Sequence, residues 1–398
     1  MKLLFAHDHR FARGDNGAIF TQGSFPREIW PRYLSNFSTL TVFARDEGMY
    51  AGGDLARSDA GDVQFQLVPS PSVAERLGLI KGTTMRSLED SISAADAVIA
   101  RLPSDIGLLA AHAASAAGKP LLLEVVGCAL DGYGNHGAFA SRLYAPFAMR
   151  RMRRAIAKAS FVNYVTERWL QGRYPASDTA FATQVSDVSI TRAGESTLAG
   201  REARLDAIRG GKRPVFGTLA SLRTASKGLQ TMITALAQLR KAGQKIEWRV
   251  LGPGDPARWR EMAQLHGVAD QIHFDGVRPA GEAVLEWLDS IDVHCQPSFQ
   301  EGLPRATIEA MSRGCACLGS TAGGIPELLP LDRLHAPGDT AALANLIGKM
   351  GNDPDRIAEA SQRDRAASVR YEAASIDNVR AKVFARFADA AAGGRRGG

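Results

Sequence analysis

Cysteine is scarce in this chain. Cys128, Cys295, Cys315 and Cys317 are the four among 398 residues, each set among apolar neighbours. Their spacing fits no metal-ligand or disulfide pattern, so they read as small buried hydrophobes of a reducing compartment. Aromatics are also few, at 7 %. They do not interleave with the basic residues, which argues against a nucleic-acid partner. No window reaches the roughly 18 consecutive apolar residues of a membrane span. The opening MKLLFAHDHR has too short an apolar run for a signal peptide, and charge follows at once. A cytoplasmic location is therefore expected. No Asp-x-Asp pair lies at a strand end, and Asp353-Pro354-Asp355 reads as a helix start. No metal ion and no other cofactor is expected. Internal repeats are lacking, and the terminal GGRRGG is expected to be disordered.

What is present is alternation. A chain of 398 residues exceeds one hydrophobic core and points to two domains. Strand-like runs are expected at 2–6, 39–44, 96–101, 120–126 and 160–165, then at 214–219, 246–251, 271–275, 291–296 and 315–319. Helical patterns fall between them, among them 105–117, 140–158, 228–242, 256–266 and 305–313. Such alternation implies an α/β protein with doubly wound parallel sheets and ligands at the carboxyl ends of the strands. The polar stretch 186–212 interrupts the alternation. The expected division is 1–195, 196–375, and a final helix with its tail at 376–398. A cleft between two such domains is the usual place for a small ligand.

The densest chemistry lies in SFQEGLPRATIEAMSRGCACLGSTAGGIPELL, residues 298–329. Glu301 lies on a loop, and Glu309 follows eight positions later on a helix that Gly302 and Pro304 introduce. A loop feeding a helix offers unpaired N–H groups and the positive end of the helix dipole, which suits phosphate. Two carboxylates beside a phosphate make sense only at its uncharged ends, on the hydroxyls of a sugar and of a ribose. That combination suggests a nucleotide-diphosphate sugar.

This Glu-x7-Glu spacing, with the AMSRGC and GGIPE runs after it, resembles the donor-site signature of the retaining family-4 glycosyltransferases, in a bacterial polysaccharide-synthesis branch. SKGLQTMITALAQL (226–239), WRVLGPG (248–254) and IHFDGV (272–277) are similar to further parts of that family. IARLPS (99–104), LLEVVGC (122–128) and YVTERWLQGRYP (164–175) extend the resemblance more weakly into the first half. The resemblance implies the GT-B fold, two Rossmann-like domains facing across a cleft. The second would take the nucleotide-sugar donor and the first the acceptor, a glycan or a lipid-linked molecule. It implies metal-independent hexosyl transfer with retention and without an enzyme nucleophile.

Residue by residue, the resemblance makes Lys227 the phosphate-binding lysine. The family's partner arginine is missing from the Gly217-Thr218-Leu219 turn, and Arg223 is the candidate to replace it. Glu309 would grip the ribose hydroxyls and Glu301 the transferred sugar. Gly302 and Leu303 would present backbone N–H groups, while Pro304 sets the turn. Gly252 and Gly254 would let backbone approach the nucleotide, with Val277 and Arg278 near the base. In the first domain Asn16 and Gly17, in a Gly14–Gly17 turn, together with Arg101 and Glu124, are acceptor candidates. An ordinary Asn-Gly turn accounts for the first two equally well. His136 is a catalytic candidate, standing in for a histidine that the family carries after the LLLEVV strand.

The net charge of +6 is uneven. Between Arg142 and Arg173 the sole acid is Glu167. FAMRRMRRAIAKASF has helical periodicity with Phe147, Met152, Ile156 and Ala159 near one face. Such a helix either lies on an anionic membrane, placing the enzyme peripherally at its inner face, or is a solvated face paired with acids. Two other functions remain open: a nucleotide-diphosphate-sugar 2-epimerase or hydrolase of the same fold, and a non-catalytic nucleotide-sugar-binding partner.

Overall fold

The computed structural model describes residues 1–50, 52, 55–135 and 139–393. The chain divides into two compact units, Met1–Asp187 with Ile376–Gly398, and Val188–Ser375. The division falls ahead of the 195/196 boundary expected from composition. The reason is local: Ile190 N–H donates to Tyr371 O and Ala373 N–H to Ile190 O, which ties the segment after Asp187 to the end of the second unit.

The first unit is built on β1 (Lys2–Arg13), β2 (Ile19–Thr21), β3 (Thr39–Met49), β4 (Ala56–Arg57), β5 (Val63–Val68), β6 (Ala97–Leu102), β7 (Leu121–Val125), β8 (Phe161–Tyr164) and β9 (Phe181–Gln184). Its parallel core runs β5-β3-β1-β6-β7-β8-β9, with β2 and β4 added as antiparallel strands. β1 outruns its expected end at residue 6. Its second half, Phe11–Arg13, pairs with β2, and the Gly14–Gly17 segment is the turn between them. The hydrophobic strands β6 and β7 are buried along nearly their whole length, as expected for a sheet covered by helices on both faces. Trp30 and Tyr33 fill the layer beside β1, and Phe384 and Phe387 of the last helix, Ala373–Gly393, pack against Tyr33, Phe37 and Phe161.

The second unit is a single parallel sheet in the order β12 (Ile272–Phe274), β11 (Glu247–Leu251), β10 (Val215–Leu219), β13 (Val293–Gln296), β14 (Ala316–Ser320), β15 (Leu334–His335). The order reverses between β10 and β13, so the carboxyl ends of those two strands form the switch point where open α/β sheets bind ligands. All four cysteines are buried thiols, three of them in or beside β13 and β14. Among the described residues no helix is long and apolar enough to cross a membrane.

Glycine permits the close approach of two loops at this switch point. Gly228 has φ +76°, and a Cβ on it would lie 1.8 Å from Pro297 O. The Gly228→Ala variant should therefore lose more than the roughly 1–3 kcal/mol of a left-handed non-glycine residue alone, read as a lowered thermal midpoint. An unchanged midpoint would show that the two loops are free to separate.

Candidate functional site

Three loops interlock over the carboxyl ends of the second sheet. Phe299 N–H donates to Ser226 O at 2.7 Å, joining the β13 loop to the β10 loop, and Gly324 N–H donates to Gly302 O at 2.7 Å, joining it to the β14 loop. Gly323, φ +59°, sits so close that a Cβ would lie 2.1 Å from Glu301 O. These contacts deliver Lys227 to Glu301: Lys227 Nζ donates to Glu301 Oε1 at 2.7 Å. The lysine is partly open to solvent and the carboxylate is buried.

Glu301 Oε1 takes two further donors, Ser298 Oγ at 2.7 Å and Gln296 Nε2 at 2.9 Å. Oε2 makes no hydrogen bond among the described residues. Glu309 lies on the Arg305–Ser312 helix, half-buried, with Arg305 Nη1 3.9 Å away. Burial pushes its carboxyl above the ordinary 4.5, with Arg305 opposing. The helix has no side-chain cap at Pro304, so the first N–H groups remain for a ligand. Gly302 and the mostly buried Leu303 precede that turn.

Arg223 stands exposed in the β10 loop, and its guanidinium makes no hydrogen bond or ion pair among the described residues. Gly252 and Gly254 have φ +153° and +123°. A Cβ on Gly252 would meet Ala220 O at 2.0 Å, and one on Gly254 would meet Arg223 N at 3.0 Å. Both glycines thus serve the packing of the β11 loop on the β10 loop. Val277 and Arg278 are exposed after β12.

In the first unit the expected acceptor residues are differently employed. Arg101 donates to Glu124 Oε2 at 2.9 Å and to Asp187 Oδ2 at 2.6 Å, and Tyr33 O–H donates to Glu124. Arg101 and Glu124 are 12 % and 8 % exposed, so they are first of all partners of each other. Asn16 and Gly17 lie at an exposed hairpin tip, where Asn16 Oδ1 accepts the Ala18 N–H, an ordinary Asx turn. His136 lies outside the described residues.

A polar cluster that sequence reasoning missed lies midway along β1, around Asp8. Asp8 accepts the N–H groups of Asp105 and Ile106, at 2.8 and 3.0 Å, and pairs with Arg45 at 2.8 Å. Asp105 accepts the hydroxyls of Tyr133 and Tyr144 at 2.9 and 3.0 Å. Burial raises the Asp8 carboxyl, and holds the Tyr144 hydroxyl up at about 12. The available signal was the HDH triplet, polar residues that follow the apolar LLFA run of the same strand. Among the described residues no group of three or more His, Cys, Asp or Glu is placed to hold a metal ion.

The basic helix, Phe139–Lys158, buries Ala145, Ala148, Met152 and Ile156. Phe147 is not on that face as expected: it is exposed, with Leu143 and Phe139 about one and two turns before it. Two of the arginines serve the fold, Arg151 donating to Arg76 O and Arg153 to Arg173 O, whereas Arg142, Arg150, Arg154 and Lys158 are exposed.

Residues 213–353 match the family model described as Glycosyl transferases group 1. That match lies within the second unit, which is therefore similar to group 1 glycosyl transferases over these residues. Protein CapJ of Staphylococcus aureus is 27 % identical over 88 % of this chain and 86 % of its own length. The amylovoran biosynthesis glycosyltransferase AmsK of Erwinia amylovora is 32 % identical over 26 % of this chain and 28 % of its own. The crystal structure of Anabaena HepE in complex with UDP-glucose matches 97 % of this chain and 100 % of its own with a TM-score of 0.65 at 17 % identity. That likeness bears on fold: two Rossmann-like domains of GT-B type.

Arg101 sits between two carboxylates. Removing one member of a buried pair costs about 3–5 kcal/mol, so Arg101→Met should lower the unfolding free energy of the first unit by that order. Chemical denaturation that shows less than about 1 kcal/mol would free Arg101 for a ligand.

Proposed function

We propose that this protein is a glycosyltransferase that moves a hexose, with retention, from a nucleotide-diphosphate sugar to a glycan or lipid-linked acceptor in polysaccharide or glycolipid assembly. The observation that carries the donor reading is the Lys227–Glu301–Ser298 arrangement beside an uncapped helix N-terminus. As the anomeric bond breaks, negative charge grows on the leaving diphosphate. Lys227, Arg223 and the first N–H groups of the Arg305–Ser312 helix supply positive charge for it, without recourse to a resident metal ion. Glu301 Oε2 meets the sugar and Glu309 the ribose hydroxyls. Attack on the face that the diphosphate leaves needs no enzyme nucleophile. The first unit takes the acceptor. The relatives' names, in amylovoran synthesis for one, and the UDP-glucose held by HepE support this class.

The test is a thermal-shift and calorimetric screen of UDP, GDP, ADP and their sugars, since a ligand of the folded state raises the melting temperature. Lys227→Ala should lose roughly 2–4 kcal/mol of transition-state stabilisation. Turnover at the wild-type rate would remove Lys227 from the site.

Glu309 gives the binding a pH signature. Its carboxylate accepts from the ribose hydroxyls, so affinity should fall as pH drops through a pKa raised above 4.5. Glu309→Gln should flatten that limb. An acid limb unchanged in the variant would assign it to another group.

The exposed Phe139, Leu143 and Phe147 beside Arg150 and Arg154 support attachment to an anionic membrane. Each basic residue near the surface contributes on the order of 1 kcal/mol, and salt weakens the attraction. Co-sedimentation with phosphatidylserine vesicles should fall with salt and with Arg150→Ser and Arg154→Ser together. Equal recovery on neutral vesicles would reject the charge-driven attachment.

A further inference from the structure

β13 carries two polar residues on its buried length, His294 and Gln296, at 0 % and 1 % exposure. They are not isolated. Gln296 Nε2 reaches both Ser298 Oγ and Glu301 Oε1 at 2.9 Å, and Gln296 Oε1 lies 3.0 Å from His294 Nε2. The carboxylate determines the direction of this chain. Glu301 Oε1 accepts only, so the Gln296 amide must turn its NH2 toward it and its oxygen toward His294. His294 must then donate from Nε2. Its Nδ1 is buried without a partner. Burial holds the ring neutral, with its pKa lowered to about 4.

We propose that His294 and Gln296 are positioning residues that keep Glu301 supplied with neutral donors, so that Lys227 can leave it for the donor's diphosphate. Glu301 Oε1 accepts from Lys227, Ser298 and Gln296. When Lys227 turns to phosphate, Ser298 and Gln296 remain. Without them Glu301 would be a buried carboxylate whose one partner is Lys227, and separating such a pair is costly. His294 acts one step back: it keeps the Gln296 amide from flipping its oxygen toward the carboxylate. No proton moves and no bond is made. This inference rests on the nucleotide-donor reading.

The test replaces the donor by a group whose character follows pH. Gln296→Glu places a second carboxyl against Glu301. The ionisable groups that face it are Glu301, Lys227 and His294, with Cys317 opposite His294 across the sheet and its thiol pushed well up by burial. Ionised, the new carboxylate repels Glu301 and holds Lys227. Protonated, it donates an O–H to Glu301 and restores the supply. Calorimetry with UDP, GDP and ADP should give an affinity ratio, variant to wild type, about tenfold down at pH 8 and recovering toward one near pH 5.5. Gln296→Leu should lose affinity at both. A ratio of one throughout, or an equal loss for Gln296→Glu at both pH values, overturns the proposal.

Nitrogen NMR of the wild-type imidazoles gives a readout that no folding defect touches. His294 should be neutral and protonated on Nε2 at pH 7; an Nδ1-protonated or charged ring also overturns it. If wild type binds none of the three nucleotides, the donor reading fails, whatever the tautomer.

Discussion

A lysine and a glutamate from different loops meet over the switch point of the second sheet, and the local structure is organised by that pair. The partners are far apart in sequence, so the loops that carry them must be held to each other. Backbone hydrogen bonds from Phe299 to Ser226 and from Gly324 to Gly302 do this. Glycines at 228 and 323 stand where a Cβ would collide with the opposite loop. A charge pair in a protein interior is a liability unless its remaining valences are filled. Here Ser298 and Gln296 fill those of Glu301 Oε1, and solvent reaches the lysine.

The arrangement also separates two kinds of polar residue. Arg101 and Glu124 are locked to each other, to Tyr33 and to Asp187, and maintain the first unit. Glu301 by contrast has one oxygen saturated and one without a hydrogen-bond partner among the described residues, while Arg223 is exposed and unpaired there. Saturated groups stabilise; groups with spare valences bind. By that criterion Glu301 and Arg223 keep spare valences in the second unit, whereas Arg101 and Glu124 spend theirs on each other, on Tyr33 and on Asp187 in the first.

Much of this was legible in the residues. The β-rich runs before Gly252 and before Pro297 announced strands β11 and β13, and the Glu301–Glu309 spacing placed one acid on the loop and one on the helix. What stayed hidden shares a physical cause. Gln296 and His294 alternate with Ile291, Val293 and Cys295, a period that says solvent face for the polar residues, and only the three-dimensional partner at Glu301 shows them buried and at work. Asp8 and Asp105 are distant in sequence and meet because β1 and β6 are neighbours. β1 runs past residue 6 because β2 offers it a partner, which no local pattern in Asp8–Arg13 discloses. Phe147 falls off the buried face because the i, i+4 row that packs the Phe139–Lys158 helix runs through Ala148, Met152 and Ile156, one residue further along.

The decisive question is whether Lys227 changes partner. The direct measurement is a crystal structure with a bound nucleoside diphosphate. Lys227 Nζ should lie about 2.7–2.9 Å from a phosphate oxygen, with Glu301 Oε1 still accepting from Ser298 and Gln296. A diphosphate bound elsewhere, with Lys227 still on Glu301, would contradict this exchange of partners.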